Sequence, residues 1–280
     1  MEDYMKIGAK KLFALLVVLS LSLGISNVAN VQANEEEQSQ SIRVMSYNIR
    51  HGEGNDNKLD INRTANVIRE SNAEIVALQE VDKNWSERSD FMDQAKHLGE
   101  ILGMHYAFAP NVDESPAKGK SERRQYGTAV LSKYPIVESN QYTLPKIEES
   151  SEKRGLLETV IDVDGVNVTV YSTHMSIIAG ERVVQIKELA KITEEKAGPV
   201  IFMGDFNAKP NTFEMRPMFK RFSEAFQGKR NAYTAPVTKP AYQIDYILFN
   251  NNFELMRSDI IQTEASDHLP IFAQLQIKAK

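Results

Sequence analysis

The chain has 280 residues, 42% apolar and 8% aromatic, with no cysteine and a formal net charge of −5. That length buries a sizeable core without disulfides, and the lack of cysteine excludes thiolate nucleophiles and thiolate metal sites. The acidic balance argues against a non-catalytic, high-affinity nucleic-acid binder, but not against an enzyme that meets phosphate through a bound cation.

Lys10 and Lys11 precede an apolar run from Leu12 to Ile25. The run is short for a membrane span and suits the core of a signal peptide, with Val31-Gln32-Ala33 offering a cleavage site. The expectation is a signal peptide over residues 1–33 and a secreted product; the alternative is an uncleaved membrane anchor. Glu2 and Asp3 are unusual ahead of such a run, and a start at Met5 would restore a basic end. Cleavage would remove three Lys together with Glu2 and Asp3, which leaves a charge of about −6. Residues 34–41 (NEEEQSQS) lack core-forming side chains and read as a disordered lead-in. Residues 42–280 then form one domain by ordinary size.

Along that domain, Ile42 to Ile49 reads as a strand. A helix follows, capped by Asp60, with Ile61, Ala65 and Ile68 on one face. Glu74 to Val81 is a buried strand, Phe91 to Leu102 a helix, and Tyr126 to Ser132 a strand closed by Tyr134-Pro135. Glu158 to Val163 and Val166 to Ser172 flank Asp164-Gly165, a tight hairpin signal because Gly accepts positive φ. Glu181 to Lys196 is helical, with Val183, Ile186 and Leu189 in phase. Pro199 to Met203, Gln243 to Phe249 and Leu269 to Ile277 are further strands. Strands outnumber helices, hairpins mix with helical crossovers, and no Gly-rich nucleotide loop appears. The predicted class is α/β: a four-layer α/β sandwich of two mixed β-sheets face to face, with helices outside.

Polar residues recur where these strands stop, the positions from which a rigid scaffold projects chemistry. Asn48 ends one strand, where it is either a turn amide or a ligand. Glu80 follows Val76-Ala77-Leu78, and a carboxylate there is solvated, paired or metal-bound. Oxygen-only ligation suits Mg²⁺. His174 ends VTVYSTH, in a structural or a catalytic role. Asp205 and Asn207 stand two apart in a tight turn after VIFM; the Asp can orient or deprotonate water and the Asn can donate to a developing oxyanion. Asp245 interrupts an apolar run, is costly there unless paired, and has His268 as a natural partner. Asp267 and His268 sit side by side just before the last strand, and an imidazole with acidic neighbours is suited to proton transfer near neutral pH.

Seven segments carry a resemblance in consistent order: SYNIRHG (46–52), ALQEVD (77–82), YGTAVLSKYPI (126–136), STHM (172–175), GDFNAKP (204–210), QIDYILF (243–249) and SDHLPI (266–271). Together they resemble the endonuclease/exonuclease/phosphatase superfamily, the fold of DNase I, bacterial sphingomyelinases and inositol-polyphosphate 5-phosphatases. The resemblance implies a monomeric metal-dependent phosphoester hydrolase with no stable protein partner, its catalytic domain covering 42–280. Glu80 would be the main Mg²⁺ ligand, with Mn²⁺ as a substitute, and Asn48 would lie beside it near metal and phosphate. Asp205 would position or activate the attacking water, and Asn207 would help hold the transition state. His174 and His268 would contact the scissile phosphate, and Asp245 would orient His268. Asp267 would lie near the metal or brace the site, and Arg154 would contact phosphate, the alternative being a solvated Arg in the charged stretch EKRG.

The substrate is less defined. Arg50 stands where abasic-site nucleases carry an acidic residue, and His174 where that branch favours an amide. NIRHG with Asp60-x-x-Arg63 and ALQEVD also looks like the hydrolase domain attached to proteins of glycosylphosphatidylinositol lipid remodelling. Nucleic acid, lipid headgroups and small phosphodiesters remain open, with a phosphomonoesterase or an inactive binding module as alternatives. Lys118, Lys120, Arg123 and Arg124 either contact a polyanion or offset nearby acids. Trp85 and Tyr233 either face substrate or pack. No long aromatic hairpin of the bilayer-inserting kind is visible in the sequence.

Overall fold

The computed structural model describes residues 40–278. The proposed leader and the lead-in up to residue 39 lie outside the described residues. In chain order the first half contains β1 (Ser41–Asn48), α1 (Ile61–Ser71), β2 (Ile75–Lys83), α2 (Gln94–Leu102), β3 (His105–Glu114), β4 (Arg124–Ser132) and β5 (Ile136–Thr143). The second half contains β6 (Gly155–Val163), β7 (Val166–His174), α3 (Ala179–Ile192), β8 (Val200–Asp205), α4 (Arg216–Arg221), β9 (Ser223–Glu224), β10 (Asp245–Phe249), β11 (Phe253–Ile260) and β12 (Ile271–Ile277).

The strands form two mixed six-stranded sheets, ordered β11-β12-β1-β2-β4-β3 and β5-β6-β7-β8-β10-β9. Their sequence explains the layers. Ile42 and Val44 of β1 and Ile75 and Ala77 of β2 meet Val168 and Val170 of β7, Ile201 and Met203 of β8 and Ile247 of β10 between the sheets. The intervening residues Met45, Tyr47, Val76 and Leu78 turn outward onto Ile61, Ala65 and Ile68 of α1 and Ala95 and Leu98 of α2. On the far side Tyr171, Phe202, Tyr246 and Leu248 cover Ile186 and Leu189 of α3 and Met218 of α4. The period-2 alternation therefore fills two faces at once, so the central strands read as unbroken apolar runs. This is the DNase I-like sandwich.

Local signals account for the boundaries. Asp60 caps α1 by accepting from Arg63 N at 3.1 Å. At the tight hairpin, Asp164 and Gly165 have φ of 48° and 91°, and Asp162 Oδ1 accepts from Gly165 N at 2.7 Å. The second helix starts at Gln94, not Phe91, because Asp93 caps it by accepting from Lys96 N at 3.2 Å. The third ends at Ile192, short of Lys196; Thr193 Oγ1 bonds back to Leu189 O at 3.0 Å there. The lead-in reading gives way at its last two residues: Ser41 belongs to β1, and Gln40 O accepts from Ile277 N at 2.7 Å.

β1 and β2 pair in parallel, as do β7 and β8, at the middle of their sheets. Their carboxyl ends project into loops where ligands of open α/β sheets bind.

Candidate active site

Asn48 ends β1, Glu80 lies in β2, His174 ends β7 and Asp205 ends β8. Asp245 opens β10, and His268 precedes β12. β10 runs antiparallel to β8 and β12 antiparallel to β1, so both residues reach the same edge from the opposite direction. Register sets the neighbours: His174 and Asp245 both face Asp205 across the ladder.

Backbone irregularities aim several of these groups. The register of β2 against β4 shifts between Leu78 and Val81, and Glu80 has φ of 58°. A bulge with a left-handed non-glycine residue is strained, and such bulges re-aim side chains at functional sites. Asn207 also has positive φ, 50°; its N–H donates to Asp205 Oδ1 at 2.9 Å and its Nδ2 to Met175 O at 3.0 Å. Buried Phe206, packed on Phe202 and Tyr246, anchors this turn.

The side chains converge. Asn48 Nδ2 donates to Glu80 Oε1 at 3.0 Å and to Asp205 Oδ2 at 3.2 Å. Asp205 Oδ2 is 3.5 Å from His174 Nε2 and 3.8 Å from His268 Nε2. His268 Nδ1 is 2.9 Å from Asp245 Oδ2. Ligand atoms of Asp205, Asp245 and His268 lie within 4.8 Å of one another. Asp267 is more open, with 45% of its side chain exposed and Oδ2 4.0 Å from Arg50 Nε. Arg154 is buried rather than solvated; its Nη1 lies 3.0 Å from Glu152 Oε1, and its Nε has no hydrogen-bond partner.

The electrostatics follow from burial and crowding. Burial, then Asp245, pushes the Asp205 carboxyl up to about 7. Burial pulls His268 down, but Asp245, Asp205 and Asp267 outweigh it and raise the imidazole to about 10. Burial, with Arg154 and His268 adding to it, holds His174 well below the usual imidazole range. Burial also raises Glu80, assisted by Asp267 and opposed by Asn48, His268 and Arg154. Two imidazoles beside one carboxylate are thus driven apart, one toward the cation and one toward the neutral form.

Sequence reasoning missed two supporting residues. Ser266 Oγ donates to Asn48 O at 2.7 Å and accepts from His268 N at 3.3 Å, fastening the His268 loop to β1. Its signal was a serine two residues ahead of the histidine, the spacing of a side-chain turn. Glu152, which holds Arg154, had no distinguishing signal. The basic cluster takes the offsetting reading: Arg123 and Arg124 pair with Asp113 and Glu114 at 2.7 and 2.6 Å, and Lys120 lies over Phe91. Lys118 is exposed on the same loop. Trp85 packs 5.9 Å from Tyr126, between Arg88 and Arg124. These aromatics, with Lys146 and Glu152, line a cleft of about 440 Å³.

The sequence profile described as the Endonuclease/Exonuclease/phosphatase family matches residues 45–268. The chain belongs to this family. Phosphoester hydrolysis is the family's chemistry, typically with a divalent metal, and the chain is a phosphoester hydrolase. It is 24% identical to sphingomyelinase C of Bacillus cereus, over 93% of this chain and 98% of that protein. It is 29% identical to protein cwh43 of Schizosaccharomyces pombe over 51% of this chain, and spans only 14% of that longer protein. The fold is similar to an endonuclease/exonuclease/phosphatase of Beutenbergia cavernae, with TM-score 0.72 and 22% identity, covering 86% of this chain and 72% of the other. It is also similar to a mannosyl-6-phosphatase of Bacteroides thetaiotaomicron, with TM-score 0.66 and 19% identity over 84% of this chain and 99% of that one.

Proposed function

We propose that the protein is a secreted, Mg²⁺-dependent phosphodiesterase acting on lipid-type or other small phosphodiesters. One observation carries the reading: buried Asp205 lies within 3.8 Å of two imidazoles and within hydrogen-bond reach of the amide that also holds Glu80. The likeness to sphingomyelinase C along nearly the whole chain supports a diester substrate. The neutralised basic loop and the net charge of −5 speak against a nucleic-acid groove. The apolar run before Val31 supports export.

The donor set fits a hard dication. Glu80 is a partly buried carboxylate whose hydrogen-bond partner among the described residues is a carboxamide, and the Asp267 carboxylate disfavours its charge further. Such charge is costly without a counter-ion, and all the donors are oxygens. Glu80, Asn48 and Asp267 would hold Mg²⁺, or Mn²⁺ in its place. When bound, the ion neutralises phosphate charge and polarises the phosphoryl group.

The chain's own residues supply the rest. Asp205, poised near neutrality, takes the proton from water as its oxygen bonds to phosphorus. His268, held cationic by Asp245, gives a proton to the departing oxygen as its bond to phosphorus breaks. His174, neutral, and the unpartnered Arg154 Nε–H donate to phosphoryl oxygens. Asn207 fixes the Asp205 carboxylate through its backbone N–H and keeps one amide proton beyond its bond to Met175 for the transition state.

Hydrolysis of bis-p-nitrophenyl phosphate tests the reading, with p-nitrophenyl phosphate as the monoester comparison. Turnover of the diester should require Mg²⁺, exceed that of the monoester and vanish in His268→Ala. Faster monoester hydrolysis replaces the reading with a phosphomonoesterase; no turnover of either in the wild type replaces it with a binding module.

A further inference from the structure

Eight large apolar side chains stand exposed among the described residues, and five of them sit on the connections between strands and helices that lead into or out of the site. Ile177, 73% exposed, lies just beyond His174, and Phe213, 62% exposed, just beyond Asn207. Ile147, 61% exposed, is in the β5–β6 loop that leads to Arg154. Tyr233 and Tyr242 are in the loop that leads to Asp245. The other three, Tyr106, Val137 and Met256, are on the edge strands β3, β5 and β11.

Buried polar groups fasten these loops. Ile147 N donates to Glu181 Oε1 at 3.0 Å. Ile177 O accepts from Arg182 Nη1 at 2.7 Å, and Arg182 Nη2 donates to Glu214, next to Phe213, at 3.2 Å. Three exposed apolar residues therefore converge on the first turn of α3. On the other flank, Thr234 N donates to Tyr242 O and Leu269 N to Thr234 O, both at 2.8 Å, which ties the two tyrosines to the His268 segment. Lys209 Nζ lies 4.3 Å above the Tyr242 ring and makes no ion pair among the described residues.

Single exposed apolar residues are ordinary, but a gathering around one catalytic mouth is not. The five are spread over four connections, on which Lys209, Pro210, Asn211, Glu148 and Glu149 are exposed as well. Exposed polar and charged residues thus alternate with the apolar ones along these segments, unlike the apolar centre of a stable protein interface. Aliphatic tips, aromatic rings with polar ends and a lysine on firmly held loops match the layered chemistry of a bilayer surface. A lipid's phosphodiester lies just outside the acyl layer, level with a site whose rim dips into it.

We propose that this rim docks on a lipid bilayer, so that the site works on phosphodiester headgroups in place. The proposal rests on the phosphodiesterase reading and names the physical form of its substrate. The test uses an Ile177→Ser/Phe213→Ser double variant and Tyr106→Ser as an edge-strand control. Wild type and control should co-sediment with phosphatidylcholine vesicles. The double variant should bind at least about tenfold more weakly, the scale expected for two lost apolar anchors. All three should turn over soluble bis-p-nitrophenyl phosphate equally, which also reports folding. No vesicle binding by the wild type, or equal binding by the double variant, overturns the proposal. So does an equal loss of soluble turnover, which makes the rim a substrate subsite, or a dimer by light scattering that the double variant abolishes. Because His268→Ala should keep vesicle binding, failure of the catalytic reading is distinguishable from failure of the rim.

Discussion

Asn48 and Asp205 belong to different sheets and stand 157 positions apart, yet Asn48 Nδ2 lies 3.2 Å from Asp205 Oδ2. The same nitrogen lies 3.0 Å from Glu80 Oε1, while Asn48 Oδ1 accepts from Arg50 N at 3.1 Å. One amide therefore joins the carboxylate suited to a cation with the carboxylate suited to a proton. Two N–H groups satisfy two acceptors, which no acid or aliphatic residue of that size does.

Asn48→Asp tests this junction. The substitution keeps the shape but puts a third carboxylate against Glu80 and Asp205. Unfolding free energy without metal should fall by about 1 to 3 kcal/mol, the cost of a broken buried hydrogen bond. Added Mg²⁺ should restore more stability to the variant than to wild type, and turnover should drop by about 100-fold. Denaturant melts with and without Mg²⁺ provide the check; wild-type turnover in the variant removes Asn48 from the chemistry.

The Asp245–His268 contact gives a second prediction. Asp245→Asn replaces the anion 2.9 Å from His268 Nδ1 with an amide that does not stabilise imidazolium. We expect kcat on bis-p-nitrophenyl phosphate to fall by at least about 100-fold with a smaller change in KM. Equal losses from Asp245→Asn and His268→Ala, with no further loss in the double variant, identify one working unit.

This pairing was legible in sequence because an acid inside Ile244 to Leu248 needs a partner. The Asn48–Asp205 junction was not, since nothing in local spacing reveals which loop faces which across two packed sheets. The strands of the interior were legible from their apolar runs, whereas β5 and β11 were missed. Both are edge strands: Glu138, Ser139, Asn140 and Gln141 are exposed in β5, and Glu254, Arg257 and Asp259 project from β11. Polar edges blunt strand pairing and also erase the hydrophobic signal. β3 was missed because Pro110 interrupts it. Burial of Arg154 was hidden because EKRG reads as a solvated run.

Away from the site, Glu224 makes stability depend on pH. Burial lifts its carboxyl to about 7, against the opposing Phe226 N–H and Lys229, from an ordinary value of 4.5. The folded chain therefore keeps a proton that the unfolded chain has released. This group's contribution is full below about pH 4.5, falls as pH rises to about 7, and is flat above. Glu224→Gln should match wild type near pH 4 and exceed it by about 2 kcal/mol near pH 8. Urea melts at the two pH values decide it; a constant difference refutes the shift.

Glu181 has the opposite sign. It accepts from Ile147 N, Glu148 N and Ser151 Oγ at 3.0, 3.1 and 2.6 Å. Burial opposes its charge, but these donors prevail and lower the carboxyl to about 2 from 4.5. Its contribution is present above about pH 4.5 and is lost as pH falls toward 2. Glu181→Gln should cost about 1 to 2 kcal/mol at neutral pH, the scale of charge-assisted hydrogen bonds, and should speed proteolysis between residues 146 and 152. The gap in stability should close in acid; a gap that persists there assigns the effect to packing.

Gly204 separates stability from activity. It faces Thr173 across β7 and β8, one residue before the His174–Asp205 pair, and a Cβ there would strike the Thr173 carbonyl oxygen. Gly204→Ala must therefore push the two strands apart beside the catalytic groups. Overpacking of this kind costs about 1 to 3 kcal/mol, and a displacement of about 1 Å at a reacting group costs about 100-fold in rate. Gly198, just before β8, has φ of 81° with open space around its Cβ position. Gly198→Ala should cost a comparable amount, about 1 kcal/mol, through backbone strain alone and leave kcat unchanged. If both variants lose rate only in proportion to the fraction unfolded, the β7–β8 spacing does not set the chemistry. If Gly204→Ala alone is slow while folded, the close approach of those strands is what holds His174 against Asp205.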